Sequence, residues 1–338
     1  MKPNVISIVE AAYDVGGDVK AWLERLLDEI APRLDRGFGV GASMYAPDLG
    51  PQEIVFTTRH MPPAVLERLV TMSVANPEIF HRVHAGQSSR STVTEALGMT
   101  TEEAERWSPY AEYLHSSGVR ELGGVLARDP SGHVVVFTLP MPDTRRPGRQ
   151  ERALWSRIAA HVSAGARLHR AVARLSSDDL TEGAEAVLSP SGALLHGDRC
   201  TQGAGARESL RRAAKAIDLA RSKARPNDAE ALELWQALIA GQWSLVEHFD
   251  TDGRRFLVAH KNDPQVTGFR TLTVRERQVL AYVAMGHPLK LIAYTLGLSI
   301  STVSQDRRTA MRKMGLETPA AVVAFFAEGQ SSESPHGS

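Results

Sequence analysis

The 338-residue sequence contains a single cysteine, Cys200, and no long apolar run. One cysteine excludes an intramolecular disulfide and a cysteine-rich metal site. No apolar stretch approaches the roughly 18 residues that a membrane-spanning helix needs, and the N-terminus lacks the basic and then apolar pattern of a secretion signal. These absences predict a cytoplasmic protein with no membrane partner.

Aromatic residues are also scarce, at 6% of the chain, whereas apolar residues make up 43%. That balance is typical of soluble globular proteins with real cores. The length predicts two or three domains instead of one. The 39 lysines and arginines equal the 39 aspartates and glutamates in number, so the whole chain carries no net formal charge. Any strongly basic region must therefore be local.

Signals for helix boundaries are dense between Thr271 and Gly329. Thr273 and Glu276 have the spacing of a capping box, in which each side chain bonds the backbone amide of the other, so a helix starts here. Gly286 supplies a C-terminal stop, and Pro288 suits the first turn of the next helix. Apolar residues recur at helical spacing behind these signals: Val279, Leu280, Val283, Leu289, Ile292, Ala293 and Leu296.

A short turn, Gly297-Leu298-Ser299, leads into a third predicted helix that ends at Met314. Its glycine permits a left-handed backbone, and Ser299 can cap the helix. Helices joined by so short a turn cross steeply, so the later one can enter a major groove, about 12 Å wide in B-DNA. We predict base contacts from Thr302, Gln305, Arg307 and Arg308, phosphate contacts from Lys290, Arg312 and Lys313, and further contacts from Ser301 and Ser304.

The charge of this segment supports the same interpretation. Eight lysines and arginines stand against four acidic residues between positions 270 and 329, which gives about +4. Neutralising phosphates and releasing their counterions supplies most non-specific affinity for DNA. The alternative is an ordinary helical bundle with a basic solvated face.

At these positions the chain resembles the LuxR-type helix-turn-helix family, over about a fifth of its length. The resemblance implies a four-helix unit whose third helix reads the major groove and whose last helix, near Pro319 to Glu328, helps form a dimer. Val322, Val323 and Phe326 are the candidate dimer residues, although they could be core instead. The matching residues are Leu272, Thr273, Arg275, Glu276, Val279, Leu280, Gly286, Lys290, Ile292, Ala293, Leu296, Leu298, Ser299, Thr302, Val303, Lys313, Met314, Gly315 and Leu316.

Several positions depart from the family pattern. Ser304 replaces the usual lysine, Asp306 the usual histidine and Leu291 the usual glutamate, and His287-Pro288-Leu289 stands where small polar residues are usual. Asp306 could repel the DNA backbone, accept from a cytosine amino group, or pair with Arg307 or Arg312. An exposed Leu291 would instead favour a protein partner. We therefore expect an unusual operator preference, or else an adaptor whose module does not bind DNA alone.

Residues 1–176 have the order of elements of a GAF-like sensor domain. An amphipathic helix from Val19 to Leu34 precedes strands near Gly37 to Ser43 and Ile54 to Thr57. After a helical middle section, a hairpin turns at Asp129-Pro-Ser-Gly132, and a long helix runs from Arg149 to Leu175. Such sheets hold small ligands, and the candidate lining residues, which could equally be core, are Phe56, Phe80, Trp107, Tyr110 and Tyr113.

Residues 180–263 resemble a PAS-like domain in layout. One hairpin turns at Pro190-Ser-Gly192 and another at Asp250-Thr-Asp-Gly253. Helices are predicted between them, from Ala206 to Ser222 and from Asp228 to Ile239. The helix-turn-helix is assigned to residues 268–329, and the polar end, residues 330–338, is predicted to be disordered.

Other motifs are weak. His81 and His84 lie one helical turn apart but lack a third metal ligand. Gly203-Ala-Gly205 lacks the third glycine of a phosphate-binding loop, and Cys200 is a lone cysteine. No set of residues matches a catalytic or phosphotransfer site. Thus no metal, cofactor or enzyme activity is expected.

These patterns together predict an α+β multidomain chain with an all-α C-terminal unit. The expected function is a one-component transcription regulator, a homodimer that binds double-stranded DNA, with RNA polymerase as a further candidate partner. A small molecule or a protein is the candidate effector. The alternatives are an adaptor, as above, and an enzyme with a regulatory tail.

Overall fold

The computed structural model describes residues 4–45, 54–85, 89–173, 183–198, 201, 203–249, 252–266 and 271–332. Over these ranges the chain forms two α/β units followed by a helical module. The elements of the first unit are, in chain order, α1 (Val5–Tyr13), α2 (Val19–Leu34), β1 (Val40–Tyr45), β2 (Val55–Arg59), α3 (Pro63–Ala75), α4 (Pro77–Ala85), β3 (Arg90–Thr92), α5 (Val93–Ala96), α6 (Thr101–Glu105), α7 (Ser108–Tyr113), a 3-10 turn (His115–Ser117), β4 (Glu121–Arg128), β5 (Val134–Met141) and α8 (Arg149–Val172).

The strands of the first unit pair in an antiparallel sheet of order β2-β1-β5-β4-β3. The hairpin predicted around Asp129 is confirmed, because β4 and β5 pair along their whole length. The strands predicted near Gly37 to Ser43 and Ile54 to Thr57 are confirmed as β1 and β2. One face of the sheet packs on α1, α2 and α8, and α3 and α7 cover part of the other face around Tyr110.

The second unit is a smaller antiparallel sheet with two helices. Both predicted hairpins are confirmed, and the strand order is β7-β6-β9-β8. Its elements are β6 (Ala186–Leu188), β7 (Leu194–Gly197), α9 (Ala204–Arg221), α10 (Asp228–Leu234), β8 (Trp243–Phe249) and β9 (Arg255–Lys261). One continuous apolar core runs through both upstream units.

Helix α10 is shorter than the sequence predicts. The expected helix ran to Ile239, but α10 ends at Leu234, so the prediction is wrong for the last five residues. Trp235 has an extended backbone, and Ile239 forms a β-bridge with Trp243. Leu238, within this segment, is fully buried in the apolar cluster of the C-terminal module. Long-range contacts therefore override local helix propensity here.

The C-terminal module contains the predicted helices, α11 (Val274–Ala284), α12 (Leu289–Leu296), α13 (Ile300–Met314) and α14 (Pro319–Ser332). Gly286, Gly297 and Gly315 follow α11, α12 and α13 with positive φ, as C-terminal stops require. Helix α14 continues three residues into the predicted disordered tail. Residues 333–338 of that tail lie outside the described residues.

Helix α8 is the central element of the upstream units. Every residue from Ile158 to His169 is buried, although the sequence predicts an apolar stripe on only one side. The polar residues of this stretch are each bonded to another part of the chain. Arg167, for example, pairs with Asp129 of the first unit and donates from Nε to the Asn262 carbonyl oxygen of the second at 3.1 Å. One helix therefore serves as core for both units.

Helix α1 was not predicted. Val5, Ile6, Ile8 and Val9 are all fully buried, whereas Ser7 and Glu10 are half-buried and accept from Arg225. The apolar residues therefore follow helical spacing, a signal that could have predicted the helix. It lies against α8 at Gly165, where a Cβ would be 2.0 Å from the Ala12 carbonyl oxygen. This close approach brings Tyr13, at the end of α1, to the centre of the molecule.

Candidate nucleic-acid interface

The capping box that the sequence predicts fixes the start of α11. Thr273 Oγ1 accepts from the Glu276 amide at 3.2 Å, and the Thr273 amide donates to Glu276 Oε2 at 2.8 Å. The Glu276 carboxylate also accepts from Lys313 Nζ of α13, with both oxygens at 2.8 Å. Burial by itself would raise the pKa of Glu276, but Lys313 and Thr273 outweigh it and hold that pKa below its usual value. This carboxylate ties α11 to α13.

Helix α13 presents one polar, exposed side. Gly297 has a φ of 62°, and Ser299 Oγ accepts from the Thr302 amide at 3.0 Å, so the predicted turn and cap are both present. Val303 and Ala310 are fully buried on the opposite side. Of the residues predicted to contact DNA, Ser304 and Arg307 are half-buried and the others are exposed: Lys290, Ser301, Thr302, Gln305, Arg308, Arg312 and Lys313.

The cations of this side differ in what they already bind. Lys313 is held by Glu276, so it must share or leave that carboxylate before it can contact a phosphate. Arg308 Nε donates to the Ser304 carbonyl oxygen one turn earlier, at 3.4 Å. Arg307 Nε is buried and has no hydrogen-bond partner in the described part of the chain. Arg307 thus keeps an unused donor on the predicted reading helix.

Asp306 forms neither of the ion pairs that the sequence suggested. Within the described ranges no salt bridge joins it to Arg307 or Arg312, and its Oδ2 is buried without a hydrogen-bond partner. Burial raises the pKa of Asp306, Arg275 opposes that shift, and Glu276 adds to it. The pairing expectation is therefore wrong, while a contact with a base stays a prediction.

The other side of the module rests on the upstream units. Gly297 lies so close to the segment after α10 that a Cβ there would be 1.9 Å from the Leu238 carbonyl oxygen. Arg275 Nη2 donates to the Ala240 carbonyl oxygen at 2.5 Å. Arg275 is therefore engaged inside the protein, although it counts toward the positive charge of the module.

Leu291, one of the departures from the family pattern, lies in this contact. It is half-buried and packs against the core of the upstream units. A leucine at this position is explained by that apolar neighbour, because a glutamate would lose its hydration there without a partner. The exposed Leu291 that would favour a separate protein partner is not observed.

Sequence reasoning missed Tyr294 altogether. Its side chain leaves the module and belongs to the core of the upstream units, where Arg157 of α8 lies 5.2 Å from the ring centroid. The position lies outside the apolar stripe of Ile292, Ala293 and Leu296, so helical spacing predicts neither its burial nor what covers it. Only the fold brings Tyr294 to α8.

The three candidate dimer residues of α14 differ in accessibility. Val322 is fully buried in the module, so it is core and has no surface to offer a second copy. Phe326 packs partly on the same cluster, and Val323 is half-buried. Phe325, which was not selected, is the large apolar side chain that this helix exposes among its described residues.

The candidate ligand-lining residues do not all come together. Trp107, Tyr110 and Tyr113 belong to one apolar cluster beneath α3 and α7, whereas Phe56 is exposed on β2, and the side chain of Phe80 lies outside the described residues. Tyr110 is fully buried and donates to Glu121 Oε1 at 2.7 Å, so it is core. Trp107 also lines a surface groove of about 720 Å³ beside α6.

The weaker motifs gain no support. In the described part of the chain no group of three or more histidine, cysteine, aspartate or glutamate side chains is placed to hold a metal ion. The side chains of His81 and His84, and all of Cys200, lie outside the described residues. Gly203 precedes α9 and Gly205 lies in its first turn, with open space around both.

No described helix is long and apolar enough to cross a membrane.

Comparison with protein families finds a match at the C-terminal module. Residues 270–326 match the family of bacterial regulatory proteins of the LuxR type, also called GerE. The module is therefore a LuxR-family helix-turn-helix domain, which supports a role in transcription regulation. No curated protein matches the chain.

Two similar solved structures are both of SdiA. The first, a crystal structure of SdiA from Escherichia coli, is 12% identical and covers 92% of this chain and 91% of that one, with a TM-score of 0.31. The second, SdiA in complex with octanoyl-rac-glycerol, is 12% identical and covers 96% and 93%, with a TM-score of 0.28.

Proposed function

We propose that this chain, which ends in a LuxR-family helix-turn-helix domain, is a homodimeric transcription regulator that binds double-stranded DNA through α13. The observation that carries the proposal is the division of the module into two sides. The polar side of α13 is exposed, while α11 and α12 hold the contacts to the upstream units. Docking therefore leaves the predicted reading surface open.

The polar residues of α13 divide between base contacts and phosphate contacts in this proposal. Thr302, Gln305 and Arg308 read base edges in the major groove, together with Arg307, whose half-buried side chain turns outward to reach a base or phosphate. Lys290 and Arg312 contact phosphates, since both are exposed near the ends of α12 and α13. Lys313 joins them only if DNA draws it away from Glu276.

The upstream units supply the input in this proposal. Two α/β units in the order of a GAF-like and a PAS-like domain are a common way to place a sensor before a DNA-binding domain, and we propose that they respond to a small molecule or a protein in the cytoplasm. We assign RNA polymerase as the partner at the promoter, and no enzyme activity. The adaptor alternative loses the support of Leu291, which is covered, and rests on Ser304 and Asp306.

Selection of the full-length protein against random duplex DNA tests the proposal. We expect enrichment of a sequence with two half-sites about one helical turn, roughly 34 Å, apart. Affinity for that sequence should fall by a factor of about ten or more between low and physiological salt, because several phosphates are neutralised. No enrichment, or binding that ignores salt, would contradict it.

A matched pair of variants connects the selected sequence to α13. Arg308→Gln removes an exposed cation from the proposed reading side, whereas Arg207→Gln removes one from the exposed side of α9. We expect the first to weaken binding about tenfold or more and the second to leave it unchanged within about twofold. An equal effect of the two substitutions would contradict a DNA interface on α13.

A further inference from the structure

A buried hydrogen-bonded chain joins the DNA-binding module to both upstream units. His161 of α8 is fully buried, with Tyr13 Oη 3.1 Å from Nδ1 and Tyr294 Oη 2.7 Å from Nε2. Each tyrosine hydroxyl also lies 2.9 Å from a carbonyl oxygen of the segment that follows α10, Tyr13 from Ala237 and Tyr294 from Trp235. The chain thus crosses all three parts of the molecule.

The number of hydrogens that each group can donate decides which group is donor and which is acceptor along the hydrogen-bonded chain. Burial lowers the pKa of His161 to about 3, so the ring is neutral at neutral pH, with one N–H and one acceptor nitrogen. Ser244 Oγ donates to the Ala237 carbonyl oxygen at 3.2 Å. The single hydrogen of the Tyr13 hydroxyl can therefore be donated to His161 Nδ1. His161 Nε2 then donates to Tyr294, whose hydroxyl donates to the Trp235 carbonyl oxygen.

In this arrangement every polar atom of the hydrogen-bonded chain has a partner. The partners of His161 Nε2 and of the Trp235 carbonyl oxygen are both supplied by the Tyr294 hydroxyl. Without that hydroxyl, the Nε2–H of His161 and the Trp235 carbonyl oxygen would both lose their partner in a site without water access. Undocking of the module also breaks these hydrogen bonds, although water can then reach the groups, and it exposes the ring of Tyr294. Tyr294 therefore contributes both apolar and polar contacts to docking.

We propose that Tyr294, through His161 and Tyr13, is the residue that positions the DNA-binding module on the upstream units. The hydroxyl fixes where α12 stands on α8, and so fixes the direction in which α13 points. This inference about DNA rests on the proposed function, but the docking itself does not. In a dimer, a fixed direction of α13 sets the distance between the two half-sites.

Hydrogen exchange of the full chain, measured without DNA, tests the docking. Tyr294→Phe should speed exchange of residues 272–298 about tenfold, because α11 and α12 lose their support, while the upstream units stay protected. The control is Tyr110→Phe, which removes an equally buried hydroxyl, bonded to Glu121, from the first unit. It should leave residues 272–298 unchanged.

Selection with DNA tests the positioning. Wild-type protein and Tyr110→Phe should accept one spacing between half-sites, whereas Tyr294→Phe should accept several with similar affinity. A milder variant, Arg157→Met, removes the cation beside the Tyr294 ring and should shift both measurements the same way by a smaller factor.

Three outcomes would overturn the inference. Exchange that stays unchanged in Tyr294→Phe means that the hydroxyl does not hold the module. Exchange that rises equally in all segments means that Tyr294 supports overall stability only, and an unchanged spacing preference despite faster exchange removes the positioning role. Failure of wild-type protein to select any DNA bears on the proposed function, while the exchange experiment still decides the docking.

Discussion

Glu276 holds two helices of the module with one buried carboxylate. It caps α11 through the Thr273 amide and binds Lys313 of α13. Its pKa in the folded protein lies below its usual value, so the charged form stabilises the fold at neutral pH. That stabilisation is lost as the pH falls through the lowered pKa.

The variant Glu276→Gln keeps a capping side chain but loses the charge that Lys313 binds. We expect it to lower the free energy of unfolding of the module by about 2 kcal/mol at neutral pH. Its stability should also fall less steeply than that of the wild-type protein as the pH is lowered. Denaturant titrations between about pH 7 and pH 4 measure both effects.

The control is Glu103→Gln in the other capping box, with Thr100, where the carboxylate is exposed and binds no lysine. A much smaller loss of stability than in Glu276→Gln is expected there, because water screens the exposed carboxylate. Similar losses in both variants would show that capping alone, without the Lys313 pair, accounts for the role of Glu276.

Arg308 and Arg312 should separate base reading from phosphate binding. If Arg308 is bidentate to a guanine, Arg308→Ala costs about 1–3 kcal/mol and relaxes preference at one base pair. Arg312→Ala should weaken all sequences alike and reduce the salt slope by about one. Binding to a panel of single-base operator variants at several salt concentrations distinguishes the two, and undiminished binding by both would contradict their placement.

At the scale of elements, the turn between α12 and α13 serves both the module and its docking. Gly297 needs its positive φ to connect the two helices, and it needs the absence of a Cβ to lie against Leu238. Gly315, after α13, has a similar φ of 68°, but a Cβ at that position would meet nothing within 4 Å. The requirement at Gly315 is therefore for backbone conformation alone.

Alanine at these two glycines should therefore have different effects. Gly315→Ala should lower the free energy of unfolding by about 1 kcal/mol, the strain of a left-handed alanine. Gly297→Ala should lose about 3 kcal/mol or more, because the backbone of Leu238 has to move away as well. Thermal unfolding measures both, and equal losses would mean that the contact with Leu238 does not hold the module.

At the scale of the whole molecule, the buried pair of Arg167 and Asp129 joins the first unit to the second through Asn262. Burial by itself would raise the pKa of Asp129, but Arg167 and Ser131 outweigh it and hold that pKa below its usual value. The carboxylate therefore stabilises the fold at neutral pH, and this contribution is lost as the pH falls through the lowered pKa.

Asp129→Asn should leave the Arg167 charge buried without its counter-ion. We expect a loss of about 3–5 kcal/mol in the free energy of unfolding, seen as a lower unfolding midpoint of both upstream units together. Glu102→Gln, which breaks the exposed pair with Arg106, is the control and should change stability by less than about 1 kcal/mol. Separate unfolding of the two units would contradict a shared core.

Much of the fold follows from local signals. The capping box at Thr273, the stop at Gly286 and the turn at Gly297 are interactions within a few residues, so the sequence predicts them and the structure confirms them. The hairpin turn at Asp129 was found in the same way. Helix α1 was missed although Val5, Val9 and Ala12 recur at helical spacing. Helix α10 was predicted too long because its last turn is replaced by contacts with the module.

The sequence by itself determined the module, its polar helix side and the concentration of positive charge on it, since each depends on residue type and short spacing. Only the tertiary structure decided which side of the module docks. Tyr294 meets His161, 133 positions away, and Trp235, 59 positions away. No period or short motif encodes such pairs, because their contact energy exists only after the chain has closed these long loops. The same holds for Leu291, whose neighbours come from the upstream core.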